Sequence, residues 1–253
     1  MISTALSSKA LKELDTTKIT ELCVYSHIHK IEWDSSHVPY EDLDFATEVE
    51  KHCRQNSLLP ISYNTNLTVT SDRDISDLFE KVCMCATTLR APSVNITVGN
   101  CPADKMTKDE YLTLVNKTNA LCKLAKNIIV NLLPEKNSVA SDTVSALNFL
   151  ADVHMTNLKL YWSSDPLLTE DENKKNIELA VRYTTNVYIS NTTKEGDILP
   201  VLDVKQAWRN YGSSIASDRS RLHLFILDKL PDSNAELLNR EFTSLRRILT
   251  KIR

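Results

Sequence analysis

Glycine is nearly missing from this 253-residue sequence. The three present, Gly99, Gly196 and Gly212, are too few and too scattered for a dinucleotide-binding G-x-G-x-x-G or a phosphate-cradling P-loop. Left-handed turn positions must then be filled by Asn, Asp or His, and Asn56, Asn127 and Asn157, each just before a strand-like run, are the expected occupants. Basic charge is also in short supply. With 30 Lys+Arg against 33 Asp+Glu, the net charge is −3 and no basic patch stands out, which argues against nucleic acid or an anionic membrane as partner. No apolar run approaches the roughly 18 residues needed to span a bilayer. The opening MISTALSSKALKEL lacks both the basic and the apolar parts of a leader, so a cytoplasmic chain starting at Met1 is expected. Six cysteines (23, 53, 83, 85, 101 and 122) form no C-x-x-C pair and read as free thiols.

What the sequence does contain is regular alternation. Strand-like runs at 2–6, 28–33, 59–63, 94–98, 128–132, 158–162, 186–190 and 222–227 alternate with helical patterns at 17–26, 40–56, 74–89, 108–125, 141–153, 170–183, 204–211 and 234–251. In the third helix Ile75, Leu78, Phe79 and Val82 make one apolar stripe, with Ser71 or Asp72 as the expected cap. In the fourth, Thr107 and Glu110 have the spacing of a capping box. Runs such as IIVNLL and LHLFIL are apolar on both faces, as strands covered by helices outside and packed side chains inside must be. Eight βα units without a long linker predict an α/β fold: a single (β/α)8 TIM barrel over residues 1–253.

In such a barrel the chemistry gathers at the C-terminal strand ends. Those windows hold Glu32-Trp33-Asp34-x-x-His37, Ser62-Tyr63-Asn64, Asn131-Leu132-Leu133, Tyr161-Trp162-Ser163, Tyr188-x-Ser190-Asn191 and Phe225-x-x-Asp228. His27-x-His29 falls at the opposite, stability face, and Cys83-x-Cys85 lies within a helix, where residues two apart diverge, so neither is a metal candidate.

These windows carry a resemblance. Ile31-Glu32-Trp33-Asp34-Ser35-Ser36-His37-Val38-Pro39 is similar to the I-E-W-G-G-D-x-H-V-P segment of the xylose-isomerase-like barrels, often called sugar phosphate isomerases/epimerases. Ile61-Ser62-Tyr63 resembles their A-S-Y-G, Asp142-Thr143 with Ala146-Leu147 resembles D-T-x-x-A-L, Asn157 to Trp162 resembles N-V-K-L-Y-W, and Trp208 stands in the stretch before the eighth strand. The resemblance implies a xylose-isomerase-like TIM barrel acting on a sugar. It also implies a divalent metal held by a Glu of the fifth strand, an Asp or other polar group of the sixth, a His of the seventh and a Glu of the eighth. Carried over, those places read Asn131, Trp162 or Ser163, Tyr188 and Phe225. A hard divalent ion needs anionic oxygen or imidazole, which this set does not supply, so no metal and no other cofactor is expected.

The expectation is therefore a degenerate member that binds a small sugar or polyol without the metal-dependent isomerisation. Glu32 and His37 are the candidate catalytic pair, gripping a hydroxyl; the plainer reading of Glu32 is an ion pair with a Lys or Arg inside the barrel. The candidate ligand-binding residues are Trp33, Asp34, Ser62, Tyr63, Asn131, Trp162, Tyr188 and Asn191, with the two tryptophans stacking on a sugar ring. Two alternatives stand beside it: an active isomerase or epimerase with a rearranged site, and a non-catalytic interaction protein whose barrel mouth is filled by Leu133, Trp162 and Phe225.

Overall fold

The computed structural model describes residues 1–252. Eight parallel strands, β1 (Ile2–Ser7), β2 (Lys30–Asp34), β3 (Leu59–Val69), β4 (Ser93–Val98), β5 (Ile129–Leu132), β6 (Leu158–Ser163), β7 (Thr184–Ile189) and β8 (His223–Leu227), pair in sequence order. β8 returns to β1 from Ile2↔His223 to Leu6↔Leu227 and closes the barrel. The helices are α1 (Thr16–Tyr25), α2 (Leu43–Gln55), α3 (Ser76–Thr88), α4 (Lys108–Leu124), α5 (Thr143–Val153), α6 (Glu170–Ala180), α7 (Lys205–Ala216) and α8 (Leu238–Leu249). The predicted (β/α)8 barrel is thus the observed one, and no described helix is long and apolar enough to cross a membrane.

Strand alternation divides the core into two layers. Leu6, Ile31, Trp33, Tyr63, Val94, Ile96, Trp162, Val187 and Phe225 belong to the outer layer, packed with helix side chains such as Phe79, Phe149, Trp208 and Phe242. Ala5, Ile61, Leu133, Tyr161 and Ile226, with Tyr188 and Leu224 against them, form a separate inner cluster. Each large side chain so buried contributes about 1.5–3 kcal/mol. Register shifts interrupt the strand pairing at three places: Ile31/Glu32, Asn64/Thr68 and Leu160/Tyr161.

The helix ends show how the chain manages with so little glycine. Thr107 and Glu110 form the expected capping box, and Thr169 with Glu172 forms a second. Among the described non-glycine residues the left-handed positions are His27, Ser57, Arg90, Lys126 and His154, each just past a helix, with Asn191, Asp232 and Ser233; four of the eight are the expected Asn, Asp or His, but Asn56, Asn127 and Asn157 are not among them. Asn56 and Asn157 serve differently. Asn56 returns its side-chain amide to the His52 carbonyl, and Asn157 donates to the Cys122 and Ile128 carbonyls. Helix α3 begins at Ser76, later than Ser71 or Asp72 would have it; Asp74 binds the amide and hydroxyl of Ser76. The preceding loop is instead pinned from α4, where Lys117 Nζ donates to the carbonyls of Thr70, Ser71 and Arg73.

Candidate functional site

At the C-terminal ends of the strands the barrel opens into a cavity of about 1160 Å³. Its wall mixes apolar and charged residues with neutral polar ones such as Asn64, Thr97, Ser163, Ser190 and Thr192, and Tyr161, Tyr188 and Asp228 reach it from the barrel interior. The β7–α7 segment contributes a short turn over one side. It is held by an antiparallel bridge between Thr192 and Ile198 and by Gly196, whose φ of +101° suits glycine.

Below the cavity lies a hydrogen-bonded network built from alternate residues of several strands. Glu32 of β2 is fully buried. Its carboxylate accepts from the hydroxyls of Tyr161 and, at 2.8 Å, Tyr188, and from Asn95 Nδ2 at 2.9 Å. Asn95 Oδ1 in turn accepts from Ser62 Oγ at 3.0 Å and Asn131 Nδ2 at 3.1 Å, while Thr185 Oγ1 donates to Asn131 Oδ1 at 3.1 Å. Burial pushes the Glu32 carboxyl up, and the donations from Tyr161, Asn95 and Tyr188 pull it back. No ion pair to Glu32 exists among the described residues, so the expected alternative of an internal Lys or Arg partner gives way to neutral phenol and amide donors.

A second group sits beside it. Asp34 accepts from Asn64 Nδ2 at 2.7 Å and from the backbone and hydroxyl of Ser36 at 2.9 and 2.6 Å. Ser8 Oγ accepts from the Asp34 amide at 2.9 Å and lies 3.1 Å from His37 Nδ1. The other ring nitrogen of His37, Nε2, is buried without a partner among the described residues.

The structure therefore brings together Glu32, Ser62, Asn131 and Tyr188 of the expected residues, and places Asp34 and His37 nearby. Neither Glu32 nor His37 walls the cavity: Glu32 lies beneath the two tyrosines, and His37 is turned to Ser8. Four other expectations fail because alternation sends those side chains outward. Trp33 and Tyr63 are wholly buried in the outer layer, and the Tyr63 hydroxyl donates to the Val38 carbonyl. Trp162 is 2% exposed and meets Trp208 and Tyr211 edge to face, so its ring is not free to stack on a sugar. Phe225 lies edge-on to Trp208 on the same side. Asn191 also has structural work: it holds a φ of 46°, and its Oδ1 accepts the Trp208 indole proton at 2.5 Å. Of the three side chains expected to fill the mouth, Leu133 is in the inner cluster and lines the cavity, whereas Phe225 and the Trp162 ring pack on the helix side, and the cavity stays open.

Tyr161 and Asp228 are the functional candidates that the sequence reading passed over. Tyr161 is inward because it shares parity with Lys159 and Ser163. Asp228 follows β8 on the parity of Leu224 and Ile226, and both its oxygens receive Ser190 Oγ, at 3.1 and 3.2 Å. Burial pushes its carboxyl up to about 6; Lys229 and Ser190 oppose the rise and the Glu32 charge adds to it.

The inward places facing a metal of the resembled kind are thus Asn131, Tyr161, Tyr188 and Ile226. Two amide atoms, two phenols engaged with Glu32, and a hydrocarbon do not suit a hard divalent ion. Among the described residues no three His, Cys, Asp or Glu side chains gather as a metal site.

Strand order and closure define a single (β/α)8 TIM barrel with a polar network at its strand ends. The chain's structure is similar to that of the probable 3-DHS dehydratase AsbF, involved in petrobactin synthesis, from Bacillus anthracis (TM-score 0.76, 14% identity, 97% of this chain and 99% of that one). It is similar as well to the IolI protein with a bound zinc atom (0.75, 17%, 99% of each) and to D-psicose 3-epimerase with D-tagatose from Clostridium cellulolyticum H10 (0.67, 11%, 98% of each). No protein-family model matches the chain, and no curated protein matches it in sequence. At these identities the likeness is one of fold.

Proposed function

We propose that this chain is a metal-independent, xylose-isomerase-like barrel of the cytoplasm that binds a small sugar or polyol in the C-terminal cavity and does not carry out metal-dependent isomerisation. The observation that carries the reading is the state of Glu32. The carboxylate at the centre of the barrel is occupied by Tyr161, Tyr188 and Asn95, and the surrounding positions offer neutral donors and acceptors instead of anions. Such groups suit hydroxyls, which both give and accept hydrogen bonds, and the cavity has room for a small polyol. That neighbours of this fold include an epimerase with D-tagatose supports the ligand class.

The test is thermal unfolding of the purified chain with Mn²⁺, Co²⁺ or Zn²⁺, and separately with sugars and alditols. Sugars or alditols are expected to raise Tm and the metals to leave it unchanged, because only what binds the native state stabilises it. A saturable Tm increase with one metal at stoichiometric amounts refutes the reading. The alternative, an active isomerase with a rearranged site, draws on Asp228, a carboxyl in the cavity that titrates near neutral pH. It requires metal-free exchange of a substrate C–H with deuterated water, which the binding-only reading does not.

A further inference from the structure

Three carboxylates belong to the strand ends of this barrel, and they are not equally satisfied. Glu32 takes three neutral donors, and Asp34 is held by Asn64 and Ser36. Asp228 has far less. A carboxylate has roughly four acceptor positions, yet among the described residues the one side-chain donor meeting Asp228 is Ser190 Oγ, a single hydrogen shared between both oxygens. Asp228 forms no ion pair. Its side chain is partly exposed, and the opening is to the cavity, so its remaining lone pairs are presented to whatever the cavity holds.

The charges around it do not supply the missing partner. Glu32 of β2 is of like sign, and Tyr188 of β7 is committed to Glu32. Lys229 is exposed and directs Nζ to Thr192 Oγ1 at 3.2 Å. The lysines farther out on the rim, Lys9, Lys12, Lys136 and Lys194, are in water and interspersed with Glu13, Glu135 and Asp165. Charges so placed are screened within about 8 Å at physiological ionic strength. The cavity floor therefore holds a withdrawn negative charge that the neighbouring Lys229 lowers in pKa but does not pair with directly. A ligand hydroxyl would fill one lone pair and leave the charge uncompensated, whereas an ammonium group would supply hydrogen bonds and the opposite charge together.

We propose that the ligand of this cavity is an amine-bearing polyol, an amino sugar or amino alditol, whose ammonium group seats on Asp228 while its hydroxyls engage the neutral side chains of the wall. The proposal rests on the reading of the cavity as a polyol site and narrows it. Burial, which holds the Asp228 carboxyl at about 6, leaves it ionised and able to pair at neutral pH.

The test is calorimetric titration of the full chain with 1-amino-1-deoxy-D-sorbitol and with D-sorbitol, which differ only in an amine for a hydroxyl, and with the pair D-glucosamine and D-glucose. At about pH 7.5 the amine is expected to bind at least about tenfold more tightly than its hydroxyl counterpart in one pair or both. At about pH 5, where Asp228 is mostly protonated, the preference should shrink to less than about threefold. In Asp228→Asn the two members of the pair should bind equally. The pH arm uses the native chain and so does not depend on the variant folding. Equal binding of amine and hydroxyl at pH 7.5 overturns the amine proposal and leaves the polyol reading standing. An amine preference that survives in Asp228→Asn also overturns it. Binding of neither compound at tens of millimolar overturns both.

Discussion

Replacing Asp228 with Asn should make the protein more stable, by an amount the structure allows to be worked out. The Asp228 carboxyl rises from 3.8 to about 6, chiefly through burial. At 1.36 kcal/mol per pH unit, ionising it in the folded state rather than in the unfolded chain costs about 3 kcal/mol. The sign follows from proton counts. Between pH 3.8 and about 6 the folded chain holds this proton and the unfolded chain has released it, so stability from this group falls as pH rises through the window and stays low above it. Asn keeps an acceptor for Ser190 and carries no charge, so it removes the cost where the cost exists. The expected gain is about 2–3 kcal/mol at pH 7.5, or about 4–12 °C in Tm for a domain of this size, shrinking to nothing by about pH 4. Urea unfolding of both proteins at pH 4, 5, 6 and 7.5 gives the comparison. Equal stabilities throughout, or a gain that does not change with pH, would refute the assignment of a strained, ionised carboxylate to the cavity floor. A destabilising carboxylate at a ligand site is the kind of cost retained for binding and not for folding.

Two other substitutions probe the network and its support. Tyr188→Phe removes one of the donors to a fully buried carboxylate and should lower stability by about 1–3 kcal/mol, measured by urea unfolding. In Glu32→Gln the same change should cost clearly less, because the charge that needs the donor is gone. Asn191→Ala loses the partner of the Trp208 indole and puts alanine at a φ of 46°, which should lower stability by about 2 kcal/mol and shift the tryptophan emission.

The alternation of βα units made the barrel legible in the sequence because it is a long-range pattern that errors of a residue or two do not disturb. Strand β3 shows the tolerance: it runs to Val69, six residues past its expected end, and the topology is unaffected. A site has no such tolerance, since a shift of one residue exchanges the cavity for the helix layer. The parity that decides the matter was partly readable. If Glu32 faces inward, its neighbour Trp33 faces the helices. In β6 the polar Lys159 and Ser163 share a face with Tyr161, which leaves Leu160 and Trp162 to the outer layer. The resemblance worked against this reading, because a motif matched as a string keeps the order of residues and says nothing of which way each one points. Strand β8 offered no help, since LHLFIL is apolar on both faces and gives no parity of its own. There the direction of Phe225, Ile226 and Asp228 comes only from pairing with β1 and β7, where Ile226 stands beside Ala5 and Tyr188. Because Asp228 shares that parity, its place at the cavity floor became identifiable only once the barrel was closed.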